Sequence, residues 1–204
     1  MGGCDLGPWE RAQDWERDWW GSCTNTYHEE TKQLVYANRM GLQIVGNSKT
    51  PYTIRVDGRS IIDVGAGPCS LLLKVEDLGE AFAVDPLMDR FPQWVRERYL
   101  AHGVQPVTAT GEEMFLPKAD QVWLYNVLEH TQDPQAVVRN ALRHCGTLRL
   151  FEWIETRPNM GHPHVQTAEL LDEWLGQKGR VEYLNQSGCY GKAFHGVFVG
   201  GGAL

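Results

Sequence analysis

Chemistry concentrates in the stretch IIDVGAGPCSLLL, residues 61–73. An apolar run reaches Asp63, turns on Gly65 and Gly67, and re-enters an apolar, helix-like run. Glycine adopts backbone angles that other residues avoid, and it lets a ligand approach the main chain closely. Amide groups at the start of a following helix present hydrogen-bond donors. In a parallel sheet, ligands sit outside the carboxyl ends of the strands, where the strand order reverses. A second acid fits this picture. Asp85, in Val84-Asp85-Pro86, follows Asp63 by 85 − 63 = 22 residues, against the spacing of about 20 expected for an acid that holds ribose hydroxyls.

The kind of ligand follows from what surrounds the glycines. The full GxGxxG is missing, because Ser70 stands at its last place, and there is no GK[ST] of a phosphate loop. The Asp63 carboxylate just ahead of the turn is poorly placed against a pyrophosphate and suits a cation. S-adenosylmethionine carries an ammonium and a sulfonium. The residues therefore favour a methyl donor over a dinucleotide, and a dinucleotide oxidoreductase is the disfavoured alternative.

IIDVGAGPCS resembles the first motif of the class I S-adenosylmethionine-dependent methyltransferases, and Val84-Asp85-Pro86 resembles their second. NVLEHTQDPQAVV, residues 126–138, resembles the fourth-strand motif of the small-molecule and ubiquinone-type branches. This ordered set covers residues 60 to about 153. The resemblance implies a Rossmann-like, doubly wound, mostly parallel seven-stranded sheet. It places Asp63, Gly65, Ala66 and Gly67 around the methionine part of the cofactor, and Asp85 with Pro86 on the ribose. Asn126 and Val127 complete the wall. Near the adenine the family often has an acid. Here Thr110 occupies that place, with Gly111 and Glu112 following, so main-chain amides are an alternative adenine contact. Pro68 and Cys69 depart from the family's third glycine.

Methyl transfer needs alignment more than machinery, because the sulfonium is already activated; the protein holds acceptor and methyl in line and can deprotonate the acceptor. His130, His162 and His164 are the candidate bases, since histidine titrates near neutral pH. The competing reading has His130 capping or packing at a strand end. His162 and His164 flank Pro163 in a loop. Some related methyltransferases carry a metal-binding ExxEH. Asn126 replaces its first carboxylate here, so no metal is expected, although Glu129, His130 and His164 form an alternative ligand set.

The elements that must position these residues alternate. Expected strands cover 60–64, 81–84, 105–108, 121–125 and 147–153. Expected helices cover 70–78, 89–102, 133–143 and 167–177, the third opened by Asp133 as cap and Pro134 in the first turn. This alternation argues for crossover units and a mostly parallel sheet. Residues 181–186 and 194–199 read as a C-terminal antiparallel hairpin at the sheet edge. Residues 1–59 read as a Trp-rich helical cap on the α/β core of residues 60–204, within a single domain. Residues 26–40 form an amphipathic helix there, and 47–51 a polar linker. Trp9, Trp15, Trp19 and Trp20 hold half of the eight tryptophans. They act either as a lid, with Trp20 over the cofactor, or as bulk that buries the cap. Glu29 and Glu30 read as a solvated helix face.

Composition bounds the partners. A length of 204 residues, 42% hydrophobic and 22% charged, suits one globular domain. Net charge −7 disfavours a nucleic-acid backbone, and no NPPY-type or DPPY-type tetrapeptide occurs. A small-molecule acceptor is expected; action on nucleic acid or protein, and a non-catalytic cofactor-binding module, are the alternatives. The five cysteines (Cys4, Cys23, Cys69, Cys145, Cys189) are scattered, without a CxxC pair, and read as reduced thiols of a cytoplasmic protein. No membrane span or signal peptide is expected, and Leu6 sits where a myristoylation motif after Gly2 needs Ser or Thr.

Overall fold

The computed structural model describes residues 7–21, 26–46 and 51–201. Gly2, Cys4, Leu6, Cys23 and linker residues 47–50 lie outside the described residues. Two helices open the chain, α1 (Pro8–Gly21) and α2 (Thr26–Arg39), followed by a short hairpin of β1 (Gln43–Val45) and β2 (Thr53–Arg55). The main sheet is built from β3 (Ile61–Val64), β4 (Ala81–Val84), β5 (Val104–Val107), β6 (Ala119–Tyr125), β7 (Cys145–Trp153), β8 (Arg180–Gln186) and β9 (Cys189–Val199). Helices α3 (Gln93–Ala101), α4 (Pro134–His144) and α5 (Ala168–Leu175) lie between its strands.

The strand order is β5-β4-β3-β6-β7-β9-β8. The first five pair in parallel, while β9 runs antiparallel to β7 and β8 antiparallel to β9. The chain order reverses beside β3, whose neighbours are β4 and β6. All four β3 residues are buried, which is the pattern of a strand covered on both faces. Alternation then sorts the side chains. Ile61 joins Tyr36, Met40, Ile54, Trp123 and Phe151 on one face, under α2, α3 and the β1–β2 hairpin. Ile62 and Val64 join Val122, Leu124, Val137, Leu148 and Leu171 on the other, under α4 and α5.

Local chemistry explains most boundaries. The Asp133 side chain accepts from Ala136 N–H and Pro134 takes the first turn of α4. Thr167 caps α5, and Gly176 ends it in the left-handed region at φ 63°. Ser187 and Gly188, at φ 53° and 79°, close the β8–β9 hairpin in the two-residue turn whose twist matches the strands.

The structure differs from the sequence expectation at three elements. Residues 70–78 do not form an α-helix: a single 3-10 turn, Leu71–Lys74, follows the glycines, and Val75 then bridges in parallel to Ile54. The chain pairs with the cap hairpin instead of continuing as a helix: Glu76 N–H donates to the Ile54 carbonyl at 3.2 Å. The final strand begins at Cys189 rather than near 194. The β1–β2 hairpin has strands of three residues each, too short to show an alternation.

Candidate active site

The carboxyl ends of β3, β4 and β6 open into a cavity of about 870 Å³, part of it open to solvent. Its floor is the glycine turn, Val64 to Gly67. Gly65 stands at φ 71°, and a Cβ on it would lie 2.5 Å from the Val127 side chain, so only glycine fits. Asp85, Pro86 and Leu87 follow β4 into the wall; Thr110, Gly111 and Glu112 follow β5; Asn126 and Val127 follow β6. Asn126 takes the left-handed conformation at φ 57°, which turns the chain sharply off the strand. Helix α1 closes the top with Trp9, Gln13, Glu16 and Trp20, and α2 contributes Glu29 and Gln33.

Hydrogen bonds fix this wall. Asp85 accepts from Gly67 N–H at 2.9 Å and Leu87 N–H at 2.8 Å, tying the glycine turn to β4; burial pushes its carboxyl up to about 6. Glu112 accepts from the amides of Gln132 and Asp133, at 2.9 and 3.1 Å. Glu152, fully buried on β7, accepts from Val127 and Leu128 N–H at 3.0 and 3.3 Å, and burial pushes it up to about 8.

Of the residues expected from sequence, Gly65, Ala66, Gly67, Asp85, Pro86, Gly111, Glu112, Asn126, Val127, Trp20 and His130 line one cavity. Three do not. Asp63 lies beneath the glycine turn, fully buried. Its Oδ2 accepts from the Tyr125 hydroxyl at 2.7 Å and from Ser70 Oγ, while Oδ1 has no partner. Burial pushes Asp63 up to about 7. His162 and His164 sit on the loop after β7, outside the cavity lining.

His130 departs from the expected base as well. Its Nδ1–H is shared between the Gly161 carbonyl at 2.9 Å and Glu16 Oε1 at 3.1 Å. Burial works against its charge, yet the Glu16 carboxylate, with Glu129 and Glu152, lifts it to about 9. At neutral pH His130 is therefore an imidazolium. His162 meets it edge to face, ring centroids 4.6 Å apart, and burial lowers its pKa.

Glu16, His130 and His162 bring three ligand atoms within 4.8 Å of one another, a set different from the Glu129, His130 and His164 of the sequence. Asn159 fixes the His162 ring within this cluster. Asn159 Oδ1 accepts from Gly161 and His162 N–H, so its amide group faces His162 Nδ1 at 3.0 Å and donates to it. His162 then carries its proton on Nε2, 3.7 Å from Glu129 Oε1.

Of the wall supplied by the cap, the sequence pointed to Trp20 and the other tryptophans but not to Gln13, Glu16 and Gln33, and Glu29, read as solvated, is buried in it. Trp9, Gln13, Glu16 and Trp20 recur at four, three and four residues, one helix face, and Glu29 and Gln33 repeat that spacing. The signal hides because the face is polar and aromatic rather than aliphatic. Trp15 and Trp19 stack on the other side, centroids 5.5 Å apart.

No family model and no curated protein matches the sequence. Solved structures do match the fold, 274 chains in all. Magnesium protoporphyrin IX methyltransferase from Synechocystis PCC 6803, solved with bound SAM, is 19% identical over 70% of this chain and 70% of its own, with TM-score 0.51. The chain has the class I methyltransferase fold. The O-methyltransferase NcsB1 of neocarzinostatin biosynthesis, in complex with S-adenosyl-L-homocysteine and 1,4-dihydroxy-2-naphthoic acid, is 18% identical over 70% of this chain and 49% of its own, with TM-score 0.51. The [4+2]-cyclase SpnF is 18% identical over 76% and 57%, with TM-score 0.52. This chain thus spans about half the length of NcsB1 and of SpnF. A cyclase among the matches shows that the methyltransferase fold does not by itself set the reaction, which is argued from the site.

Proposed function

We propose that this chain is an S-adenosylmethionine-dependent methyltransferase acting on a nucleophile of a small molecule. One observation carries the reading. Glu16, Glu29, Asp85 and Glu112 all line the cavity, and no lysine or arginine is among its described lining residues. With Glu16 paired to the His130 cation and Glu29 to Lys32, Asp85 and Glu112 remain to disfavour the pyrophosphate of a dinucleotide and to favour a ligand of net positive charge. S-adenosylmethionine is one, and when bound it supplies a methyl group on a sulfonium leaving group.

The residues present fit that ligand. Asp85 keeps lone pairs on both oxygens for ribose hydroxyls after meeting Gly67 and Leu87. The turn Gly65–Gly67 exposes main chain to the methionine part, and Asp63, buried beneath it and outside the lining, acts on an ammonium only through the turn and only once ionised. Gly111 and Glu112 border the adenine side. Trp9 and Trp20 exclude water from above. His130, held as a cation, faces the acceptor side and orients an electron-rich acceptor rather than deprotonating it. Catalysis then rests on alignment of acceptor and methyl in the cavity.

Calorimetric titration with S-adenosylmethionine, S-adenosylhomocysteine and NAD tests this. The wild type binds the first two, and Asp85→Ala weakens both by about tenfold or more, the cost of charge-assisted hydrogen bonds lost to the ligand. Binding of NAD alone overturns the assignment. Tight S-adenosylmethionine binding with no methylation across an acceptor screen turns the reading to a non-catalytic cofactor-binding module.

A further inference from the structure

The chain after Gly67 lacks the helix its apolar pattern predicts, so its amides need partners from elsewhere. Two buried tyrosines provide them. Ser70 N–H donates to the Tyr99 hydroxyl at 3.2 Å, and that hydroxyl donates to the Gly67 carbonyl at 2.7 Å. Leu71 N–H donates to the Tyr125 hydroxyl at 3.0 Å, and that hydroxyl donates to Asp63 Oδ2 at 2.7 Å. Tyr99 comes from α3 and Tyr125 from the end of β6. Each hydroxyl thus accepts from one part of the turn segment and donates to another.

We infer that Tyr99 and Tyr125 are positioning residues whose hydroxyls stand in for the missing helix and hold the Gly65–Gly67 main chain in its ligand-facing shape. The inference rests on the proposed cofactor reading and deepens it. Tyr125 has a second effect, through Asp63. A hydroxyl that donates to a carboxylate favours its ionised form. The other groups facing Asp63 are Ser70, which also donates to it, and Asp85 across β4, whose charge opposes ionisation. Tyr99 makes no hydrogen bond to Asp63. The two tyrosines therefore share one role and differ in the other.

The test is calorimetric binding of S-adenosylmethionine to wild type, Tyr99→Phe and Tyr125→Phe between pH 6 and 9, with thermal unfolding of each. Both variants are expected to fold and to bind about tenfold more weakly, because each leaves a buried loop amide without its acceptor. Wild-type binding strengthens as pH rises through the Asp63 range near 7. In Tyr125→Phe that midpoint moves to higher pH; in Tyr99→Phe it stays. Wild-type affinity in both variants, or midpoints that move equally or not at all, overturns the inference. Lower stability with unchanged affinity would show that the tyrosines only pack. Where Tyr125→Phe does not fold, Ser70→Ala removes the other donor to Asp63 and must raise the midpoint. Failure of the wild type to bind sinks the cofactor reading alone. Hydrogen exchange at the Ser70 and Leu71 amides then decides: it accelerates in the Phe variants, or the inference falls.

Discussion

His130 shows how a residue's chemistry depends on what folds against it. Taken alone, a histidine three residues before Asp133-Pro134 is a plausible base. Folded, it receives Glu16 from a helix more than a hundred positions earlier and becomes a cation held near 9. Glu16→Gln should return its pKa toward the ordinary histidine value of about 6.5, read from the ring-proton shifts of His130 in a pH titration by NMR. An unmoved value near 9 would place the origin in Glu129 and Glu152 instead. The sequence named Asp85 and the glycines because their role depends on local backbone shape and on a spacing set by one strand–turn–strand unit. The positioning roles of Tyr99 and Tyr125 leave no such local mark, because they arise only when α3 and β6 converge on the segment from Gly67 to Leu71.

Helix α1 is held at the cavity by a few specific contacts. Gln13 donates to the His130 carbonyl at 3.4 Å, Arg90 pairs with Asp14, and Trp15 packs on Gly161 and edge-on to His162. A Cβ on Gly161 would lie 2.5 Å from the Trp15 ring. Gly161→Ala is therefore expected to push α1 off this seat at a cost of about 1–3 kcal/mol, raising hydrogen exchange along 8–21 while the sheet stays protected. Unchanged protection in α1 would mean that Trp15 simply repacks. Strands and caps were legible because burial on two faces, Asp-Pro and Thr-initiated helix starts leave local marks. The segment after Gly67 departs from its pattern because Leu71, Leu72 and Leu73 look helical, while Val75 and Glu76 pair with Ile54, a partner that the local pattern does not show.

Across the whole molecule, the buried ionisable groups set a direction for stability. Burial pushes Asp63, Asp85 and Glu152 up to about 7, 6 and 8, and Glu16 holds His130 near 9. Each binds a proton in the folded state that the unfolded chain has already released, so stability is fullest below the unfolded values and is lost as pH rises through the folded ones. His162 and His195, lowered by burial, act oppositely below about 6.5. The unliganded protein should thus lose about 5 °C or more of Tm between pH 6 and 9. A rising Tm would refute this account. The added stability from S-adenosylmethionine should be larger at pH 8 than at pH 6, because the ionised carboxylates then gain a cationic partner. The same molecule joins its two ends: Tyr36 of α2 stacks on Phe151, and Arg39 pairs with Glu182 and offers its carbonyl to His195. Synthesis runs the other way. The Tyr36 ring leaves the ribosome long before Phe151 and Trp153 of β7, against which it packs. That face of α2 must wait for a strand made much later, and until then it depends on whatever shields it during translation.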